Sequence, residues 1–400
     1  FKASLKLTSD KELLLQVRYA NTMNGLYRFA DSSGGWQFDR GNLVFGGGGP
    51  SLPDTTGLTL TGTLPEFSLE AWKAYSTRSG SSGLGILPPF LHGVDVEVGQ
   101  FSGFGQKIDA LRVQLARDPG AWQLGLNSKR ISGRITLPYE TNAAHPIIAD
   151  MQHVELVQKT SKSENGTTAR LDPHVVPPLR VAIGQLRYNG LTLDNLKAQL
   201  EPQVDGVSLK SFSITNSAFD LSGSGQWVIK TDGSQQSTVT VQMKSRSIGK
   251  TMQAFGFAPG ITGDSGEAQA QLTWQGGPLA DILPTLAGKL HIKLEDGQLL
   301  EVKPGAGRIF GLLSINALPR RLLLNFSDVL GKGLGYDSIE GDFTLKDGDA
   351  YTTDLTVSGP AAKIHMVGRT GLAKHDFDEA VLVVPSVGPT LPVLGALAAG

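Results

Sequence analysis

Residues 267–275, EAQAQLTWQ, and 289–295, KLHIKLE, decide the fold. Each alternates apolar and polar side chains with a period of two, so Ala268, Ala270, Leu272 and Trp274 share one face, as do Leu290, Ile292 and Leu294. That period belongs to an extended strand with one face turned from water, and not to a helix. The pattern recurs on both sides. Val181 with Ile183 and Leu191 with Leu193 come first, and Leu196, Ala198 and Leu200 follow in the opposite phase. Next come Val207 with Leu209, Phe212 with Ile214, Phe219 with Leu221, and Val239, Val241 and Met243. Downstream lie Leu322, Leu324 and Phe326, Phe343 and Leu345, Leu355 and Val357, Ile364 and Met366, and Val381 and Val383. Phase slips, as between Leu209 and Phe212, predict turns or bulges.

Turn chemistry separates these runs. Asn189–Gly190, Asp205–Gly206, Asp232–Gly233, Asp296–Gly297 and Asp347–Gly348 are dipeptides that tolerate the positive φ of a two-residue hairpin. Successive strands joined in this way form an antiparallel meander. Helices are few and short. Ser68 caps a predicted helix carrying Leu69, Trp72 and Tyr75, within about 68–76. Ile248, Met252 and Phe255 mark a second, and Leu279, Ile282 and Leu283, ended by Pro284, a third. Ile309, Leu312 and Leu313, near 308–317, mark a fourth that stops before Pro319. The polar run 160–168 and the prolines at 173, 177 and 178 place a division near residue 170, giving β segments 1–170 and 171–400.

Composition narrows the function. Of 400 residues, 40% are apolar, only 18% are charged and 50 are glycine, which suits short strands and tight turns rather than a helical bundle. A net charge of −1 offers nucleic acid no basic face. The absence of cysteine removes disulfides, thiolate metal sites and cysteine nucleophiles. The seven histidines are scattered, with no i, i+4 pair; His291 and His365 are expected on polar strand faces. Gly305–Arg308 before the fourth helix lacks the lysine and serine of a phosphate loop, so a strand-to-helix corner is expected there. Asp376, Asp378 and Glu379 are too sparse for calcium and read as a solvated turn. No nucleophile elbow occurs. No enzyme, cofactor or metal site is expected. The chain opens at Phe1 rather than Met and stops in an apolar stretch at Gly400, so it is expected to be an internal piece of a longer protein.

Alternation alone fits two designs. One is a sealed sandwich with a dry core; the other is a curved sheet whose apolar face lines an open groove. Periodicity does not separate them and by itself favours the sandwich. An outer-membrane barrel fits less well, because aromatic residues are only 7% and Pro177–Pro178 interrupts the strands.

Longer stretches tip the balance. Residues 307–369, GRIFGLLSINALPRRLLLNFSDVLGKGLGYDSIEGDFTLKDGDAYTTDLTVSGPAAKIHMVGR, resemble the C-terminal part of the large YhdP-type members of the AsmA-like family. So do LAGKLHIKLEDGQLLEVKPGAGR before them and VPPLRVAIGQLRYNGLTLDNLKAQLEPQVDGVSLKSFSI at 176–214. Upstream, GWQFDRGNLVFGGG, LTLTGTLPEFSLEAWKAY and HPIIADMQHVEL are similar to the same proteins, in the same order.

The resemblance implies a mainly β chain, a long antiparallel meander forming a curved, elongated, bridge-like groove. It implies a periplasmic part of a Gram-negative envelope protein, anchored in the inner membrane, that carries phospholipid toward the outer membrane. Its partners would be phospholipid acyl chains, the inner membrane and envelope proteins at the groove ends. The residues expected to line the groove are Val181, Ile183, Leu191, Leu193, Phe212, Ile214, Phe219, Leu221, Val239, Val241, Leu272, Trp274, Leu290, Ile292, Leu294, Leu322, Leu324, Phe326, Phe343, Leu345, Leu355, Val357, Ile364 and Met366. A continuous apolar strip suits this role, because each CH₂ exposed to water costs about 0.8 kcal/mol. Unpaired charge on the strip would be a barrier. The competing expectation is a structural β-sandwich of the envelope that conducts no lipid.

Overall fold

A computed structural model of the chain describes residues 2–7, 12–32, 35–72, 90–157, 172–188, 191–256, 260–278, 280–300, 333–374 and 376–386. The chain divides into two compact units, one of Phe1–Lys162 with Arg180–Asn189 and one of Ser163–Leu179 with Gly190–Gly400.

The first unit holds β1 (Lys2–Leu7), β2 (Glu12–Tyr19), β3 (Met23–Ser32), β4 (Gly35–Phe45), β5 (Gly57–Ser68), β6 (Leu91–Gly103), β7 (Gln106–Arg117), β8 (Ala121–Asn127), β9 (Ile131–Pro138), β10 (Ile147–Leu156) and β11 (Leu179–Tyr188). Consecutive strands pair antiparallel from β1 to β4 and from β6 to β10. β11 runs so close to β10 that a Cβ on Gly184 would meet the Gln152 carbonyl at 2.7 Å.

One departure from the expected meander sits in the middle. β4–β5 and β5–β6 are parallel pairs. A parallel pair needs a connection that returns the chain to the same end of the sheet, which a tight turn cannot do. Residues 46–56 make the first return. The Arg40 guanidinium donates to the Pro53 and Asp54 carbonyls at 3.2 and 2.7 Å, and the Asn24 amide donates to the Gly48 carbonyl at 2.8 Å. This strap therefore lies on the face that carries Asn24, Arg40 and Asn42. At the end of β5 residues 69–72 are helical, and the Ser68 hydroxyl accepts from the Ala71 N–H at 3.3 Å, the expected cap. Tyr75 lies outside the described residues.

The second unit holds β12 (Leu191–Gln203), β13 (Gly206–Thr215), β14 (Phe219–Ile229), β15 (Gln235–Ser245), β16 (Ile261–Gln275), β17 (Ala287–Leu299), β18 (Leu334–Lys346), β19 (Asp349–Ser358), β20 (Ala362–Gly371) and β21 (Asp376–Pro385). Every consecutive pair from β12 to β21 is antiparallel. Helix α1 (Ile248–Ala254) joins β15 to β16 and buries Ile248 and Thr251, with Phe255 at its C-cap stacked on Phe219 at 5.1 Å.

Local chemistry accounts for most of the corners. Asp347 and Gly348 hold φ of 52° and 80° between Lys346 and Asp349, the expected tight hairpin. Gly233 holds φ of 78°, and the Asp232 carboxylate accepts from the Ser234 N–H. The Leu209–Phe212 slip is a bulge: Leu209 pairs with Gly225 and Phe212 with Gly223, so Lys210 and Ser211 oppose Ser224 alone.

Three expectations change. The second two-residue loop is Val204–Asp205, with Gly206 already in β13 opposite Val228. Asp296–Gly297 makes no hairpin; it lies inside β17, with Asp296 at φ 48° and Gly297 paired to Gly263 and Tyr336. Around Pro284 the chain forms a 3-10 turn, Leu283–Thr285, because proline fits the first turn of such a helix without ending it. Leu279, Asn189–Gly190 and the helix near 308–317 lie outside the described residues.

Candidate functional site

Cross-strand register turns the alternation into surfaces, because directly paired residues project from the same side of a sheet. In the first unit one row runs Ala3–Val17–Gly25–Leu43–Leu60–Val94–Leu115–Leu124–Ile135–Ala149, crossing ten strands without a polar side chain. A second runs Tyr19–Met23–Phe45–Gly62–Val96–Val113–Leu126–Gly133–Met151. Leu91, Leu115 and Trp122 form the buried centre, with Leu60, Val94, Leu124 and Leu137 packed on it.

The second unit repeats the arrangement. One row is Leu200–Leu209–Gly225–Val239–Leu272–Gly288–Leu345–Ala350. Beside it run Ala198–Phe212–Gly223–Val241–Ala270–Leu290–Phe343 and Ile214–Leu221–Met243–Ala268–Ile292–Gly341. A fourth is Phe219–Ser245–Gly266–Leu294–Ile339–Val357–Ile364–Val383, with Ser245 its one hydroxyl, bonded to the Thr251 hydroxyl at 2.8 Å.

The opposite face is polar over β14–β18, whereas on β20 and β21 it exposes Val367, Leu382 and Val384. Asp220, Lys244, Glu267, Lys293 and Glu340 are successive partners of alternating sign. Lys244 reaches Glu267 at 3.3 Å, and Arg246 grips Asp220, holding that carboxyl below the usual range. His291 meets Asp342 at 3.0 Å and His365 the Thr356 hydroxyl at 3.1 Å, both on this face as expected. Asp376, Asp378 and Glu379 lie in β21 rather than in the expected solvated turn. Asp376 accepts from Arg369 at 3.0 Å, while Glu379, paired with Gly368 on the apolar side next to Val381, is half-buried, its carboxyl pushed up by desolvation although the Thr370 hydroxyl donates to it. No group of residues able to hold a metal ion occurs among the described residues. No described helix is long and apolar enough to cross a membrane.

Exposure divides the residues expected to line a groove. Val181, Ile183, Leu191, Leu193, Phe212, Leu221, Val239, Val241, Leu272, Leu290, Ile292 and Leu294 are half-buried. Ile214, Phe219, Trp274, Phe343, Leu345, Leu355, Val357, Ile364 and Met366 are buried, with Phe219 and Leu355 at 0%. Leu322, Leu324 and Phe326 lie outside the described residues. In the first unit the expected lining reached only Val181 and Ile183 of β11 and left out the apolar face of β1–β10, although Val94, Val96 and Val98 carry the same period.

The fold and its surfaces define a class: mainly antiparallel sheet proteins that keep one face apolar across many strands. Within that class, the chain belongs to the YhdP protein family, whose model matches residues 1–400. It is 24% identical over 358 residues to the intermembrane phospholipid transporter YhdP of Escherichia coli K12, a match covering 87% of this chain and 28% of that protein. The chain thus spans less than a third of the length of this curated relative. No solved structure matches it significantly.

Proposed function

We propose that this chain carries phospholipid between membranes by sheltering acyl chains on the apolar faces of its two sheet units. The observation that carries the reading is the set of unbroken apolar rows, ten strands long in the first unit. A hydrocarbon tail displaced from one row meets another of the same kind, so no step exposes it to water. The half-buried state of Val241, Leu290 and Ile292 leaves area for such a tail to cover. The relative named as an intermembrane phospholipid transporter supports this substrate class. In this reading the chain is a periplasmic part of a Gram-negative envelope protein held at the inner membrane, its groove bridges toward the outer membrane and sustains its lipid supply, envelope proteins meet the groove ends, and no catalytic step is required.

Native mass spectrometry with lipid extraction, on protein purified without detergent, tests it. Phospholipid should co-purify, and Ile292→Arg should abolish it in a protein that stays folded. A lipid-free, monodisperse protein contradicts the proposal. It would favour a structural role instead, for which the closed packing around Ile339 and Leu355 is the supporting observation.

A further inference from the structure

The apolar face of the second unit is continuous in register but not in exposure. Over β15–β17, Val241, Ala270, Leu290 and Ile292 are half-buried. On the same face in β18–β20, Ile339 and Leu355 are 0% exposed, Val357 2% and Ile364 4%. Residue type does not account for the contrast, since Leu294 pairs with Ile339 and both are aliphatic.

Packing accounts for it. Ile292 pairs with Gly341, and the place where a Cβ on Gly341 would stand is taken by Leu355, whose Cα and Cδ1 lie 2.8 and 3.0 Å away. Leu355 thus settles onto bare backbone at the first strand beyond the open section. Interiors closed in this way are packed to crystal-like density and leave no lane for another chain. Tyr336 holds the boundary in place: its hydroxyl, on β18, donates to the Thr262 carbonyl on β16 at 2.6 Å, and the ring lies over Gly297 of the intervening β17.

Resting on the lipid-carrying reading above, we infer that the acyl-chain path of the second unit runs over β15–β17 and ends at β18, where the same face is packed shut. β18–β20 then act as a fixed end-stop, and a lipid arriving there leaves the sheet sideways rather than continuing along it.

The full 400-residue chain has no cysteine, so single cysteines report one position each. Val241→Cys and Leu290→Cys sample the open section, Val357→Cys and Ile364→Cys the closed one. Each delipidated variant, its fold checked by circular dichroism, is treated with a water-soluble maleimide with and without phosphatidylglycerol vesicles. The open sites should label quickly, and phospholipid should slow them severalfold; the closed sites should label slowly in both conditions. Closed sites that label fast and are protected by phospholipid overturn the end-stop while leaving lipid binding intact. Open sites whose labelling phospholipid leaves unchanged overturn the lipid-carrying reading and the end-stop with it. The unsubstituted chain supplies a second measurement free of folding defects: irradiation with a phospholipid bearing a diazirine in one acyl chain should place adducts on β15–β17, and adducts on Ile339 or Leu355 would overturn the end-stop.

Discussion

Tyr336 on β18 and Thr262 on β16 are joined by a 2.6 Å hydrogen bond that passes over an entire strand. Gly297 makes this reach possible, because a Cβ there would strike the Tyr336 ring at 2.6 Å and the Thr262 carbonyl closer still. Tyr336 is 2% exposed, so its hydroxyl and the carbonyl are shielded from water. Tyr336→Phe should cost about 1–3 kcal/mol, the usual penalty for orphaning a buried polar partner. Urea denaturation of the two proteins measures it. A change near zero would mean water replaces the phenol.

The same phenol gives stability an alkaline limit. Burial, with Asp264 and Asp296 nearby, pushes its pKa up to about 12 from 10.0. The unfolded chain therefore ionises first, and the folded chain holds the extra proton between those values. Stability should be intact below pH 10 and fall as pH rises toward 12, by about 1.4 kcal/mol per pH unit from this group. Tyr336→Phe should flatten that part of the curve, which thermal unfolding between pH 9 and 11 would reveal.

Substitution by aspartate should distinguish the two sections of the apolar face. Ile292 is half-buried, so a carboxylate there keeps access to water and Ile292→Asp should fold but lose bound phospholipid. Leu355 is fully buried, so Leu355→Asp buries a charge and should cost more than about 4 kcal/mol or prevent folding. Soluble yield, circular dichroism and lipid extraction read both results. A folded Leu355→Asp protein would show that the cluster opens readily.

Glu379 offers a test on the acid side. Desolvation raises its folded pKa above 4.5, so the folded chain holds a proton that the unfolded one releases. Its contribution is therefore complete below pH 4.5 and declines as pH rises through the raised value. Glu379→Gln, which keeps an acceptor for the Thr370 hydroxyl, should raise the melting temperature at pH 7 relative to the parent and by less at pH 4. An equal gain at both pH values would mean the carboxyl titrates normally.

These particulars show which parts of the structure were legible. Asp347–Gly348 announced its hairpin because both residues accept positive φ at low cost. In the identical pair Asp296–Gly297, inside β17, only Asp296 takes a positive φ, and Gly297 instead makes room by its missing side chain for an aromatic ring about forty positions downstream, a need no local window contains. Phe104 and Gly105, with φ of 51° and 72°, form the β6–β7 turn although phenylalanine is no turn former. The bulge at Lys210–Ser211 was visible as a slip of phase. Parallel pairing of β4, β5 and β6 was not, since a strand's period is the same in either direction. Alternation likewise named the apolar face at Val241 and at Leu355 alike; whether such a face stays open depends on what packs against it.

The strap at residues 46–56 bears on how open the apolar face of the first unit stays. Reversing the chain between parallel neighbours could have laid backbone over Leu43 and Leu60, but Arg40 and Asn24 fasten it to the other side. The detour is therefore an external handle. Extra residues or a fluorescent reporter inserted at Gly47–Gly49 would lengthen it without covering the apolar face, giving a place from which to test the proposed lipid carriage.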